Sequence, residues 1–486
     1  MVFYPPSWVP KLPEISDTLS IPDFMLDEKH GREKYSASKD AYVDGLSGKK
    51  VTATQQRDRV AVFARALAKE LGWKVNEGTE YDKVCNIFAL NTIDVMTVTW
   101  AIHRLNGIST PANAAYSADE LRYQLENAGA RAIFTVFPLL ETAMSAAKKA
   151  GIPASKVYLL PMPGDDESKY PKEHKTFDQL LKEGESLPEL EPIKWEKGQG
   201  ARQTAFLCYS SGTSGLPKGV MISHRNVIAN TIQIMMYDGV YRKKLGDGWR
   251  DVALGLLPYS HIYGLIVICH LDTYRGDTVI VLPKFDMQQY LNAIQTYKIS
   301  TLYIVPPIII NMVKQKQICS KYDLSSVKFI FTGAAPLGKE TAEDLQKQYP
   351  EWKIRQGYGL TETCTVVCST WADDIWFGSS GSLLPGYKAR IMSSEGNEIT
   401  GYDQPGELVV SSPSVTLGYL KNEKATKETF VTLDDGLRYM RTGDEVLLRK
   451  SPNGHEHLFI VDRIKELIKV KVCETRKKKS LFENIQ

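Results

Sequence analysis

Cysteine is scarce: seven in 486 residues, odd in number and scattered. That pattern makes no disulfide framework and points to a reducing compartment, with thiols serving as small core residues. Cys364 and Cys368, four apart, could share a helix face, but no nearby His or further Cys completes a metal set. Long apolar runs are missing too. The best stretch, TIDVMTVTWAIHRL, carries Asp94, His103 and Arg104, so no bilayer-spanning helix is read. The opening MVFYPPSWVPKLP lacks the basic-then-apolar layout of a secretory signal. An excess of one charge is also absent. Net charge is +3, and the last 16 residues hold five Lys/Arg against two Asp/Glu, so residues 1–470 are neutral by count. A global pull toward nucleic acid or anionic membrane is thereby excluded. What remains, 43% hydrophobic and 24% charged, is an ordinary globular chain long enough for about three domain-sized units.

Apolar strands alternate with amphipathic helices. KVTATQQRDRVAVFARALAKEL puts Val60, Phe63, Leu67 and Leu71 on one helical face. KVCNIFAL reads as a buried strand, TVTWAIHRLNG as a helix ending at Gly107, DELRYQLENAGA as a helix and RAIFTVF as a strand. DVALGLLPY, DTVIVLP, STLYIVPP and SVKFIFTGAAP continue the rhythm. Such alternation predicts parallel sheet with helices on both faces. Residues 161–200 read as a polar connection holding a short helix, FDQLLKEG. From about 383 the texture turns to β-hairpins, with Asp435-Gly436 and Asn453-Gly454 as turns, so a β-rich subdomain is expected over 383–461. His455 and His457 flank the second turn, and strand alternation predicts both on one exposed face rather than a metal site.

The most informative stretch is YSSGTSGLPKGV, 209–220, directly after the apolar TAFLC. Glycines let backbone N–H groups turn inward, while hydroxyls and a lysine add donors and positive charge, so the loop can wrap a polyphosphate. It is not the loop of P-loop NTPases, because Lys218 precedes Gly219 instead of standing in a Gly-Lys-Ser/Thr run. A flexible Ser/Gly linker would not lie between a buried strand and the ordered-looking VMISHRNV.

With SHRN following, this stretch resembles the signature of the adenylate-forming superfamily, which includes acyl-CoA synthetases. PYSHIYG, TGAAPLG, GYGLTET, RTGD and DRIKELIK then occur in the family's order. The resemblance implies the large N-terminal domain of such enzymes over 1–461: two helix-flanked, mainly parallel sheets plus a β-barrel-like subdomain. It also implies a hinge motif over 462–471. HIYG and DRIKELIKVK look most like 4-coumarate–CoA ligases and related aryl- and acyl-CoA ligases. Ile262-Tyr263-Gly264 carries no carboxylate where amino-acid adenylation domains place an Asp, which argues against an α-amino substrate.

The implied reaction joins a small carboxylic acid to coenzyme A through an acyl-AMP made from ATP. By resemblance, Ser210, Ser211, Gly212, Thr213, Ser214, Gly215 and Lys218 hold the β- and γ-phosphates, and Thr361 the α-phosphate. Glu362 is the implied Mg²⁺ ligand, since a hard cation takes a carboxylate together with phosphate oxygens. Ala335, Gln356, Gly357 and Tyr358 frame the adenine, Asp444 the ribose, and Arg463 adds a cation. His261, Ile262, Tyr263 and Gly333 line the acyl pocket; Lys284 and Lys471 are the implied coenzyme A contacts and Lys465 the hinge pivot. No protein or nucleic-acid partner is implied. The rival expectation is a catalytically silent nucleotide-binding or regulatory protein with a ligase-like body. The acid stays open between aromatic and medium-chain types.

After Lys471 the match stops. Relatives continue with Gly, an aromatic residue and Gln into a small C-terminal domain, whereas here VCETRKKKSLFENIQ follows. The expectation is that this domain is absent, that 472–486 form a disordered basic tail, and that the reading frame has run past an exon boundary. Relatives often end in a Ser-Lys-Leu type peroxisomal address; this chain ends Asn484-Ile485-Gln486, so the cytoplasm is expected as written, with the peroxisome open for a longer form. The 486-residue chain is therefore expected to bind ATP weakly and to form a CoA thioester very slowly, because a missing cation at a transferring phosphate costs orders of magnitude. Full ligase turnover by the purified chain would refute this.

Overall fold

The computed structural model describes residues 3–210, 216–464, 468–470 and 473–475. Among them, three main sheets set the architecture. The first has seven strands in the order Gly418–Tyr419, Lys218–Ser223, Thr204–Ser210, Ile108–Ala112, Val84–Phe88, Ala132–Val136 and Val157–Leu160. Its last five run parallel, and Lys218–Ser223 pairs antiparallel on both sides. The second, of nine strands, has a parallel centre from Lys353–Leu360 through Phe329–Thr332, Thr301–Ile304, Val252–Gly255 and Thr278–Val281 to Asp40–Asp44. The third is antiparallel and is built on Arg438–Lys450, paired with Gly406–Ser411, Phe430–Thr432 and Glu456–Arg463.

Helices cover the two parallel sheets because their apolar faces have nowhere else to go. Thr52 and Gln55 close a capping box that starts helix Ala53–Leu71, and Gly72 in the left-handed conformation ends it. Its buried Val60, Phe63 and Leu67 are those picked out by helical spacing, and Phe63 stacks on Phe177 of helix Phe177–Glu185 at 4.8 Å. Ser223 and Asn226 cap helix His224–Arg242 in the same way, directly after the strand that follows the phosphate loop.

Several expectations need correction. The helix expected to end at Gly107 ends at Arg104, and Asn106 rather than the glycine takes the positive φ of 58°. Gly107 is needed for closeness instead: a Cβ there would sit 2.5 Å from the Lys83 carbonyl oxygen. Cys364 and Cys368 share no helix. Cys364 closes a short turn at φ 55°, and Cys368 lies in strand Thr365–Ser369. His455 and His457 share a side, but that side is not exposed: His457 is 1% accessible. Both imidazoles meet one Asp374 oxygen, at 2.7 and 3.2 Å, and Ser379 Oγ lies 2.9 Å from His457 Nδ1. Within the segment expected to be disordered, Cys473–Thr475 forms a strand paired with Ile468–Val470. Lys465 and Lys471 lie outside the described residues. Among the described residues no helix is long and apolar enough to cross a membrane.

Three fully buried histidines sit between the layers. His103 Nε2 donates to the Ala205 carbonyl (3.0 Å), His224 Nδ1 accepts the Ile21 N–H (3.0 Å), and His270 accepts from Trp100 Nε1 (3.2 Å). Burial lowers His103 to about 3 and His270 to about 4, and takes His224 well below the usual histidine value. The unfolded chain protonates all three near pH 6.5 while the fold keeps them neutral, so stability falls as pH drops below that value. At pH 5.5 the three rings together should cost roughly 4 kcal/mol relative to pH 7.5, offset in part by buried Asp272, whose raised pKa favours the fold as pH falls, so the check is made ring by ring. The NMR signals of all three histidines should not shift between pH 7.5 and 5.5; a ring that titrates in that window would show that it is not held neutral.

Candidate active site

The Ser210–Glu362 and Tyr358–Asp444 contacts join the first sheet to the second and the second to the third, and many of the residues singled out in the sequence lie along these joins at three poles. At the first, the hairpin register sets Ser210 opposite Lys218 across the phosphate loop. Loop residues Ser211, Gly212, Thr213, Ser214 and Gly215 lie outside the described residues. Strand Lys353–Leu360 of the second sheet runs into the short turn Thr361–Thr363, which carries Glu362 to the same place. The chain doubles back so tightly that a Cβ on Gly359 would lie 1.4 Å from the Thr365 carbonyl oxygen, so no side chain fits at that position. Thr363 Oγ1 locks the turn, accepting the Leu360 N–H at 3.0 Å and lying within 3.1 Å of the Thr365 carbonyl. Glu362 is 8% exposed, and its Oε1 accepts from Ser210 Oγ (3.2 Å) and Tyr419 Oη (2.9 Å). Thr361, half-buried, opens this turn.

Among the described residues no cation pairs with Glu362, and no group of three or more His, Cys, Asp or Glu side chains could hold a metal. A nearly buried carboxylate bonded by neutral hydroxyls through one oxygen fits a hard cation that takes a single protein carboxylate and draws its other ligands from substrate phosphates.

At the second pole Tyr358 donates to Asp444 Oδ2 at 2.5 Å, and Arg463 Nε reaches Asp444 Oδ1 at 3.2 Å. Asp444 is not a turn residue: it lies within strand Arg438–Lys450, 3% exposed and opposite Arg463. Burial first, then the adjacent Asp444 charge, pushes the Tyr358 phenol well above its ordinary pKa, so it stays a donor. Gln356 Oε1 accepts the Leu337 N–H at 3.2 Å and ties down the Gly333–Ala335 loop, in which Ala334 has φ 66°.

The third pole is apolar. Tyr263 is buried, donates to the Phe331 carbonyl at 2.5 Å, and meets the Phe331 and Tyr303 rings edge-on. Ile262 is buried beside it, and Gly333 lies against the Tyr263 ring. His261 is exposed at its edge, and desolvation by the protein packed around it lowers its pKa. Its Nδ1 accepts the Tyr263 N–H at 3.2 Å, which leaves the ring proton on Nε2. Lys284 is exposed beyond strand Thr278–Val281, and among the described residues no contact ties it to these poles.

Sequence reading missed Tyr419. It sits in GYL, a sequence too short to stand out, and reaches Glu362 only because strand Gly418–Tyr419 pairs back onto Lys218–Ser223 of the first sheet.

A buried carboxylate beside a Ser/Gly-rich loop, a buried Tyr358–Asp444 pair and an aromatic wall, carried by two helix-flanked, mainly parallel sheets and a third antiparallel one, are the features of an AMP-binding, acid–thiol ligase class of enzyme. Residues 29–420 match the family model described as AMP-binding enzyme, and the chain belongs to that family. It is 41% identical over 475 residues to the acyl-CoA ligase easD of Emericella nidulans, covering 97% of this chain and 82% of that one. Against the acyl-CoA ligase cm3C of Cordyceps militaris the identity is 40%, over 97% of this chain and 75% of the other. Among solved structures, a long-chain-fatty-acid-CoA ligase (FadD1) from Archaeoglobus fulgidus has the same fold, with TM-score 0.76 at 22% identity over 96% of this chain and 86% of that one. So does the anthranilate CoA ligase AuaEII in complex with anthranoyl-AMP, with TM-score 0.75 at 20% identity over 94% and 80%.

One glycine checks the tightness of the site. A Cβ on Gly357 would lie 2.5 Å from Phe331 Cζ. Gly357→Ala must displace the ring that also walls the third pole, and should destabilise the fold by about 1–3 kcal/mol in denaturant unfolding. An unchanged midpoint would mean that the ring moves freely.

Proposed function

We propose that this protein is an ATP-dependent carboxylate–CoA ligase acting on an apolar acid without an α-amino group. A substrate carboxylate oxygen attacks the α-phosphorus of ATP, the bond to the β-phosphate bridging oxygen breaks, and pyrophosphate leaves. The coenzyme A thiol then attacks the acyl carbon, its proton goes to solvent, and AMP leaves. The observation that carries this reading is the convergence of Ser210, Lys218 and buried Glu362 at one pole beside the Tyr358–Asp444 pair at another. That spacing of roles suits a polyphosphate at one end and a nucleoside at the other.

In this reading Lys218, Ser210 and the loop 211–215 grip the outer phosphates, and Thr361 the α-phosphate. Mg²⁺ held on Glu362 would neutralise phosphate charge as the bond to pyrophosphate breaks. Tyr358 stacks on the adenine with Gln356, Gly357 and Ala335 around it, and Asp444 accepts from the ribose hydroxyls. Neutral His261, with its proton on Nε2, donates to the acid and holds one carboxylate oxygen aside while the other attacks. Tyr263, Ile262 and Gly333 wall the acyl group. Lys284 is the surface cation available to coenzyme A phosphates.

The finer assignment is an aryl acid of the 4-coumarate type. It rests on HIYG and on the edge-to-face wall of Tyr263, Tyr303 and Phe331, which favours a flat, apolar group. The test is ATP-dependent pyrophosphate release with a panel of hydroxycinnamic, phenylacetic, medium-chain and α-amino acids. Release should occur with aryl acids, be lost with α-amino acids, and fall by at least about 100-fold in Glu362→Gln. ATP binding without release across the whole panel would instead favour a silent nucleotide-binding protein.

A further inference from the structure

Glu362 and Lys218 have a common neighbour, Tyr419, at the margin of the hydrophobic core. The Tyr419 side chain is buried at 7% exposure. Its hydroxyl donates to Glu362 Oε1 at 2.9 Å, and its ring carries the Lys218 ammonium 5.0 Å from the centroid. One side chain thus touches both the carboxylate and the cation, of opposite charge, that serve the phosphates.

The residue is held from three directions. Its backbone N–H donates to Thr426 Oγ1 at 2.9 Å, at the end of a two-residue strand fixed by the register Tyr419↔Val220. Thr416, three residues earlier, donates its N–H to the Glu362 carbonyl at 3.0 Å. Phe430 packs against the ring at 5.9 Å, and the Arg438 guanidinium lies 4.2 Å over Phe430. Arg438 also donates to the Thr416 and Leu417 carbonyls, at 2.8 and 2.9 Å. A chain of contacts Lys218–Tyr419–Phe430–Arg438, with the two rings tilted at 56°, therefore runs from the Ser/Gly-rich loop into the third sheet, with the hydroxyl of its second member on Glu362.

We propose that Tyr419 is a positioning residue that holds the Glu362 carboxylate and the Lys218 ammonium in register for a metal–nucleotide, and so sets affinity for metal-bound ATP while touching neither ATP nor the acid. The hydroxyl takes up Oε1 and turns Oε2 to an incoming cation. The ring face keeps Lys218 extended beside the loop, where the ammonium is attracted to the π-system and remains free to meet phosphate. This inference rests on the role given to Glu362 above.

The experiment measures Mn²⁺ binding to the 486-residue chain with ATP by the loss of the free-ion EPR signal, and ATP binding in EDTA by calorimetry. Tyr419→Phe removes only the hydroxyl. It should weaken Mn²⁺ binding with ATP by about tenfold, since it deletes a hydrogen bond to a charged group, and leave metal-free ATP affinity within twofold. Raising Mn²⁺ should restore wild-type saturation. Tyr419→Leu removes the ring as well and should weaken ATP binding in EDTA too. Tyr158→Phe, which deletes the same kind of hydroxyl-to-carboxylate bond at Glu70, far from Glu362 in the first sheet, controls for a general loss of stability and should leave Mn²⁺ affinity unchanged. Unchanged Mn²⁺ affinity in Tyr419→Phe overturns the proposal, as does an equal loss in Tyr158→Phe. Glu362→Gln separates the two levels. If it weakens Mn²⁺ binding while Tyr419→Phe does not, only the role of Tyr419 falls; if it has no effect, the metal role of Glu362 falls and takes this inference with it.

Discussion

Glu362 is a carboxylate in a nearly dry place, and much of the fold is arranged around keeping it there. An ionised carboxyl removed from water without donors is costly, and the two hydroxyls on Oε1 offset only part of that. The turn that carries it bends sharply. Cys364 and Thr365 both have positive φ, at 55° and 109°, and Gly359 lies against the Thr365 carbonyl. Such backbone is held only where the surroundings over-determine it. Here they do. Thr363 bonds both flanks of the turn, Asn230 Oδ1 accepts the Val366 N–H at 3.1 Å, and Thr365 Oγ1 donates to the Ile262 carbonyl at 3.0 Å. The last contact makes the acyl pole part of the same construction, so Glu362 and Tyr263 cannot be repositioned independently.

The Tyr358–Asp444 pole works differently. Asp444 accepts from Tyr358 and pairs with Arg463. A ribose entering there exchanges one set of hydrogen bonds for another, and such exchanges change free energy only modestly. Under the proposed function this pole selects orientation, and the Ser210–Lys218–Glu362 pole, with charge-assisted bonds, supplies most of the affinity. Arg463 is half-exposed, so its pairing with Asp444 adds little on its own. Its value lies in closing strand Glu456–Arg463 against Asp444.

Much of this was legible in the sequence because it depends on local chemistry. The phosphate loop announces itself by composition, the parallel strands by short apolar runs, and Glu362 by its place after GYGLT. What escaped depends on which face another segment covers. Alternation put His455 and His457 on one side but could not say that Trp376 and Asp374 pack over it. Helical spacing suited Cys364 and Cys368 equally well, since a separation of four also returns to one face of a strand. Asn106 usurped the role assigned to Gly107 because asparagine tolerates the left-handed region, while the approach of Lys83 that demands a glycine is a long-range fact.

Tyr419 is the strongest case. Nothing within GYLKN marks it, and its partners lie 57 residues away at Glu362 and still further off at Lys218. Its significance comes from topology: a two-residue strand leaves the approach to the third sheet and returns to the edge of the first. That return spans the gap between Lys218, beside the loop proposed to hold phosphate, and the turn that offers the Glu362 carboxylate, which belong to different sheets. Two sheets joined only by packing could shift by a fraction of an ångström and separate the charges. A tyrosine bonded to one charge and stacked on the other converts that packing into a fixed distance. The Arg438 guanidinium at the far end of the chain of contacts, anchored on the Thr416 and Leu417 carbonyls, keeps the third sheet in step with it.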